Sequence, residues 1–151
     1  MSARTTSRTW SQRPGVLTVL DTNVVISALL FRGETAAIYH SVITGRIIPL
    51  VCPAILSEYV RVLVYPKLKL SDSEIRYLID NEIGRWFRML TEKLPDDVWV
   101  PEDPSDDQFI NAARVRPGTV LVSGDRHITD IRESLPVRVL TARELIEELR
   151  R

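Results

Sequence analysis

Four acidic residues stand where a folded chain could gather carboxylates around a cation: Asp21, Glu58, Asp107 and Asp125. Asp21 closes the aliphatic run Val16-Leu17-Thr18-Val19-Leu20, which is too short and too apolar for an amphipathic helix and reads as a buried parallel strand. Asp125 follows a second such run, Thr119-Val120-Leu121-Val122-Ser123. Ligands of an open α/β sheet sit outside the carboxyl ends of its strands, so these two carboxylates should share one sheet edge. Asp107, in Asp103-Pro104-Ser105-Asp106-Asp107, falls in the first turn of the helix that leads into the second run. Glu58 lies mid-helix at the border of the stripe Ile55, Tyr59 and Val62, from which it can face the sheet edge.

Each acid also has an ordinary use. Asp21 can cap the next helix, Asp106 and Asp107 suit a helix N-terminus, Asp125 shapes a Gly-Asp turn, and Glu58 can simply meet water. Together they say more. Three or four carboxylates within ~5 Å repel by several kcal/mol per pair at an effective dielectric near ~20. Such a cluster persists only if protons or a cation neutralise it. An all-oxygen donor set favours Mg²⁺ or Mn²⁺ over zinc, and no His or Cys pattern competes.

The elements that must position these acids alternate in type. A strand is predicted over 47–52, although Pro49 favours an edge or irregular place. Helices are expected over 24–30, 34–44 and 53–64. A capping box at Ser71-Asp72-Ser73-Glu74 opens a long helix to about Leu94. Val98-Trp99-Val100 reads as a short third strand. Helix 109–115, strand 119–123, a short helix near 128–131 and strand 137–140 follow. A second capping box, Thr141-Ala142-Arg143-Glu144, opens the last helix. This order predicts an α/β protein, a three-layer α/β/α sandwich around a mostly parallel five-stranded sheet.

The 151 residues suffice for one domain, expected over 16–151, after a weakly basic, disordered lead-in over 1–15 that ends at Pro14-Gly15. With 20 basic and 20 acidic residues the net charge is zero, so any nucleic-acid surface must be a local patch. Candidate phosphate grips are Arg32, Arg61, Arg85, Arg88, Arg114 and Arg126. The single cysteine, Cys52 between Val51 and Pro53, excludes an intrachain disulfide and suits core packing. No run approaches the ~20 apolar residues of a membrane helix, and the lead-in lacks the apolar centre of a secretory signal, so a cytoplasmic location is expected.

Four blocks carry a resemblance: Leu20-Asp21-Thr22-Asn23-Val24, Ser57-Glu58, Asp103-Pro104-Ser105-Asp106-Asp107-Gln108-Phe109 and Ser123-Gly124-Asp125-Arg126. In order and spacing, over about residues 16–145, they resemble the signature blocks of PIN-domain ribonucleases, most of all the toxin branch of toxin–antitoxin systems. The resemblance implies a PIN-like fold and Mg²⁺- or Mn²⁺-dependent RNA hydrolysis, with Asp21, Glu58, Asp107 and Asp125 as metal-binding acids and Asn23 supporting the first. It also implies a homodimer or higher homo-oligomer and a small antitoxin protein as partner. Helix geometry alone does not choose between Asp106 and Asp107; the family pattern, an apolar residue two after the acid, selects Asp107 through Phe109. Relatives often carry a second Asp in the last block, where this chain has His127.

On this reading Asp21 and Asp125 hold the first metal, Glu58 and Asp107 complete the site, and Thr22, Asn23 and Ser123 orient the carboxylates. Serine and cysteine mechanisms lose for want of a histidine near a nucleophile motif. Two rivals are another Mg²⁺-dependent phosphoryl-transfer enzyme and a non-catalytic RNA- or protein-binding module. A haloacid-dehalogenase-type phosphatase would need an aspartate where Asn23 stands. A phosphate receiver would need a strand-end lysine, and Lys67, Lys69 and Lys93 lie elsewhere.

Overall fold

Val16–Leu20 forms β1, the middle strand of a five-stranded sheet, in a computed structural model that describes residues 15–31 and 33–151. The lead-in over 1–14 and Arg32 lie outside the described residues. Val19 and Leu20 are buried, as a strand covered on both faces by helices requires. After β1 come α1 (Thr22–Ile26), extended by a wider π turn over Ser27–Phe31, and α2 (Ala36–Ile43). Then follow β2 (Ile47–Val51), α3 (Pro53–Leu63), α4 (Asp72–Tyr77) with its π continuation Leu78–Ile83, α5 (Gly84–Trp86) and β3 (Arg88–Met89). The chain closes with α6 (Asp107–Ala113), β4 (Val120–Val122), α7 (Arg126–Thr129), β5 (Arg138–Leu140) and α8 (Ala142–Leu149). Both capping boxes form, at Ser71 with Glu74 and at Thr141 with Glu144.

All strand pairs are parallel, in the order β3-β2-β1-β4-β5. The chain therefore steps outward from β1 to β3 and returns to the opposite side of β1 as β4. The gap between the carboxyl ends of β1 and β4 is the point where the winding reverses, the usual place for a ligand in such sheets.

Pro49 sits inside β2, opposite Thr18 of β1. Its placement has a simple cause. Arg46 accepts from Val16 on the β1 side, whereas Val51 accepts from Leu90 on the β3 side, so the odd-numbered residues of β2 face β3. β3 begins to pair only at Leu50, and the missing N–H of Pro49 falls where no ladder partner is needed.

Two sequence expectations are corrected. The helix opened at Ser71 stops at Trp86 rather than Leu94, because Phe87 turns to an extended backbone and Arg88–Met89 add the third strand beside Leu50–Val51. Val98–Val100 is not a strand. The amides of Trp99 and Val100 donate to a side chain, the carboxylate of Asp107, instead of to a ladder.

The core runs from Val19, Leu50, Leu121 and Val122 in the sheet to Ile38, Ile55, Leu63, Ile110 and Ile128 in the helices. Tyr59 is fully buried beneath the end of β1. Its hydroxyl donates to the carbonyl of Leu20, the residue before Asp21, and its ring meets Phe87 edge-on at 6.0 Å. Cys52 is buried, as core packing predicts.

Candidate active site

Asp21 ends β1 and caps α1: its Oδ1 accepts from the amide of Val24 at 2.9 Å. Its Oδ2 accepts from the hydroxyl of Ser123, at the end of the neighbouring strand. Only 6% of the residue is exposed, and burial raises its pKa above the usual carboxylate value against the lowering effect of these hydrogen bonds, with the charge of Asp125 adding to the rise. Ser123 ties the two strand ends together, since its oxygen also accepts from the amide of Asp125 at 3.1 Å. Asp125 in turn caps α7, accepting from the amide of His127 at 2.8 Å.

The acid that stands beside Asp125 is Asp106. Asp106 closes the single 3₁₀ turn Pro104–Asp106 before α6, is 7% exposed, and has a buried Oδ2 with no hydrogen-bond partner. Its pKa is pushed up to about 7 by burial first, then by the negative charges of Asp125, Asp103 and Asp21. Successive helical residues project about 100° apart, so Asp107 turns away. Its Oδ1 accepts from the amides of Trp99 and Val100, each at 2.8 Å. Asp107, expected beside Asp21 and Asp125, thus anchors the backbone of Trp99 and Val100, and among the described residues no hydrogen bond or ion pair joins it to either aspartate.

Asp107 belongs to a polar stripe of α6 and its C-cap. Asn111, buried, donates to the carbonyl of Asp97 at 3.0 Å and accepts from the indole N–H of Trp99 at 2.9 Å. Arg114 pairs with Asp97 and lies over the Trp99 ring at 5.2 Å. Residues 107, 111 and 114 thus pin the segment 97–100, which delivers the loop carrying Asp103 and Asp106. The spacing i, i+4, i+7 was the available signal.

The other expected residues make contacts of their own. Glu58 sits half-buried on α3, which packs against α1 and α6, and its carboxylate is held by Arg61. Among the described residues no hydrogen bond or ion pair joins it to Asp21, Asp106 or Asp125. Thr22 is buried with an unpartnered hydroxyl and Asn23 is exposed at the first turn of α1; neither hydrogen-bonds Asp21, so of the three expected supporting residues Ser123 alone holds that carboxylate. Two residues join the site instead. Asp103 caps the 3₁₀ turn, its Oδ1 accepting from the amide and hydroxyl of Ser105 at 3.2 and 2.6 Å. One donor atom each from Asp103, Asp106, Asp125 and His127 lies within 4.8 Å of the others.

The arrangement fits a divalent cation. Asp106 has a buried oxygen that lacks any donor, and its neighbours are further carboxylates that can offer none while ionised. A proton, a water molecule or a cation can satisfy such a group, and a cation also offsets the adjoining negative charges.

A family model for the PIN domain matches residues 18–127. No curated protein matches the chain. The solved structure of the PIN domain endonuclease Utp24 superposes with a TM-score of 0.48 at 17% identity, covering 83% of this chain and 84% of that one.

Proposed function

Because the chain belongs to the PIN domain family, we propose that it is a divalent-metal-dependent ribonuclease that hydrolyses RNA phosphodiester bonds with Mg²⁺ or Mn²⁺. The observation that carries this reading is the buried, donor-less carboxylate of Asp106 beside Asp125 and Asp21 at the β1–β4 edge. Asp106 and Asp125 would hold the cation, and Asp21 adds its charge from beneath. A bound divalent ion would supply an acidified water and neutralise charge on the reacting phosphate. Ser123 fixes Asp21 and the backbone of Asp125 at once, which sets the spacing of the two strand ends. Arg126, exposed and next to Asp125, would meet a substrate phosphate, and Asn23 lies exposed at the same sheet edge. Glu58 is retained as an outlying acid on the strength of the motif resemblance, freed from Arg61 when RNA approaches. That resemblance also supports the finer reading: a cytoplasmic toxin of a toxin–antitoxin pair, a homodimer or higher homo-oligomer inhibited by a small antitoxin protein.

Neutralising one acid without changing its shape tests the reading. Asp21→Asn should lower Mn²⁺-dependent cleavage of a single-stranded RNA by at least ~100-fold, the scale of removing one electrostatic group from a preorganised site, with the fold retained by circular dichroism. Cleavage within a few-fold of the unmodified protein would contradict it.

A further inference from the structure

We infer that His127 is a nitrogen ligand of the cation site, and that with Asp103, Asp106 and Asp125 it selects a first-row transition ion over Mg²⁺. This inference rests on the ribonuclease reading above and adds the identity of the ion. Two independent observations carry it. The donor atoms of the four residues already lie within 4.8 Å of one another. Ligands about 2.1 Å from a six-coordinate ion are ~3.0 Å apart when adjacent and ~4.2 Å apart when opposite, so side-chain adjustment from a spread within 4.8 Å lets one ion touch all four. The buried Oδ2 of Asp106, without a partner, is the oxygen that lacks a positive neighbour.

His127 is placed by its own helix turn. Its amide donates to Asp125 Oδ1 at 2.8 Å, which brings its ring Nδ1 to 3.7 Å from the same oxygen. That separation is too long for a hydrogen bond and suits two atoms that share an ion. The ring is about half exposed, and within the described residues no hydrogen bond engages its nitrogens, so binding requires no other contact to break. Among the described residues Asp103 accepts on Oδ1 alone, from the amide and hydroxyl of Ser105, which leaves its second oxygen available. Mg²⁺ prefers oxygen donors and keeps several waters, whereas imidazole strengthens sites for transition ions. One nitrogen among three carboxylates therefore tilts the site towards Mn²⁺ and its heavier neighbours.

The test uses the full chain and metal alone. Mn²⁺ binding is read from loss of the free-ion electron paramagnetic resonance signal, and Mg²⁺ binding from competition against it. The unmodified protein should bind Mn²⁺ at least tenfold more tightly than Mg²⁺. His127→Ala should lose about tenfold in Mn²⁺ affinity with less than a threefold change for Mg²⁺, and His127→Asp should bring the two affinities closer together. Pulsed measurements should show nitrogen modulation on bound Mn²⁺ that vanishes in both variants. If the unmodified protein binds Mn²⁺ but His127→Ala leaves the affinity ratio and the nitrogen modulation unchanged, the ligand role is overturned while the ribonuclease reading stands. If the unmodified protein binds neither ion, both fall.

Discussion

Asp106→Asn should give a metal-free protein that is more stable than the original at pH 8 and all but inactive on RNA. The folded-state pKa of Asp106, about 7, lies above its reference value of 3.8. A carboxyl raised in this way stabilises the fold fully below about pH 4, and that contribution is lost as the pH climbs to 7. Shared titration with Asp125 spreads this contribution over the pair. The amide of asparagine mimics the neutral acid. It should remove this pH slope and raise the metal-free melting temperature at pH 8 by several degrees, with no difference near pH 4. Mn²⁺ should stabilise the original protein by mass action and the variant hardly at all. Cleavage should fall by at least ~100-fold. A melt at pH 8 that drops in the variant, with cleavage retained, would show that Asp106 is not held under charge repulsion. A variant that is stabilised at pH 8 and inactive would instead mark the site as one where the fold stores unfavourable charge that a ligand relieves.

Asp107→Ala should do the reverse. It removes the acceptor for two amides, those of Trp99 and Val100, and hydrogen bonds to a charged group contribute about 1.5–3 kcal/mol each. A loss of about 3 kcal/mol, or roughly 6–12 °C in melting temperature for a chain of this size, is expected. Below its melting point the variant should still be stabilised by Mn²⁺, because Asp106 and Asp125 remain. Differential scanning calorimetry with and without Mn²⁺ separates the outcomes. An unchanged metal-free melt together with lost Mn²⁺ stabilisation would return the ligand role to Asp107.

The adjacent aspartates show where sequence reading stops. Strand ends are legible because an apolar run that closes on a polar residue leaves little choice of direction or depth; hence Val16–Leu20 and Asp21, and Val120–Val122 with Ser123 and Asp125, emerge as expected. A helix start is different. One residue of register turns a side chain by about 100°, and the family spacing through Phe109 could not see that Asp107 has backbone partners eight and seven residues upstream. The same long-range bonds explain why Val98–Val100, strand-like in composition, forms no strand. The missed strand, Arg88–Met89, is two exposed residues whose role comes from the edge of β2, not from their own pattern. Its position truncated a helix whose apolar spacing continues through Leu90. His127 was legible as a departure from the family block; its nearness to Asp125 is set by the tight turn of α7, which spacing alone does not reveal.

An anomalous difference map from crystals of the full chain soaked in Mn²⁺ tests the central claim most directly. The account predicts a peak at the carboxyl ends of β1 and β4, within about 2.0–2.6 Å of carboxylate oxygens of both Asp106 and Asp125. A map with no peak there, at a Mn²⁺ concentration that supports RNA cleavage in solution, would contradict it, as would an ion bound to Asp107 and Glu58 with Asp106 left out.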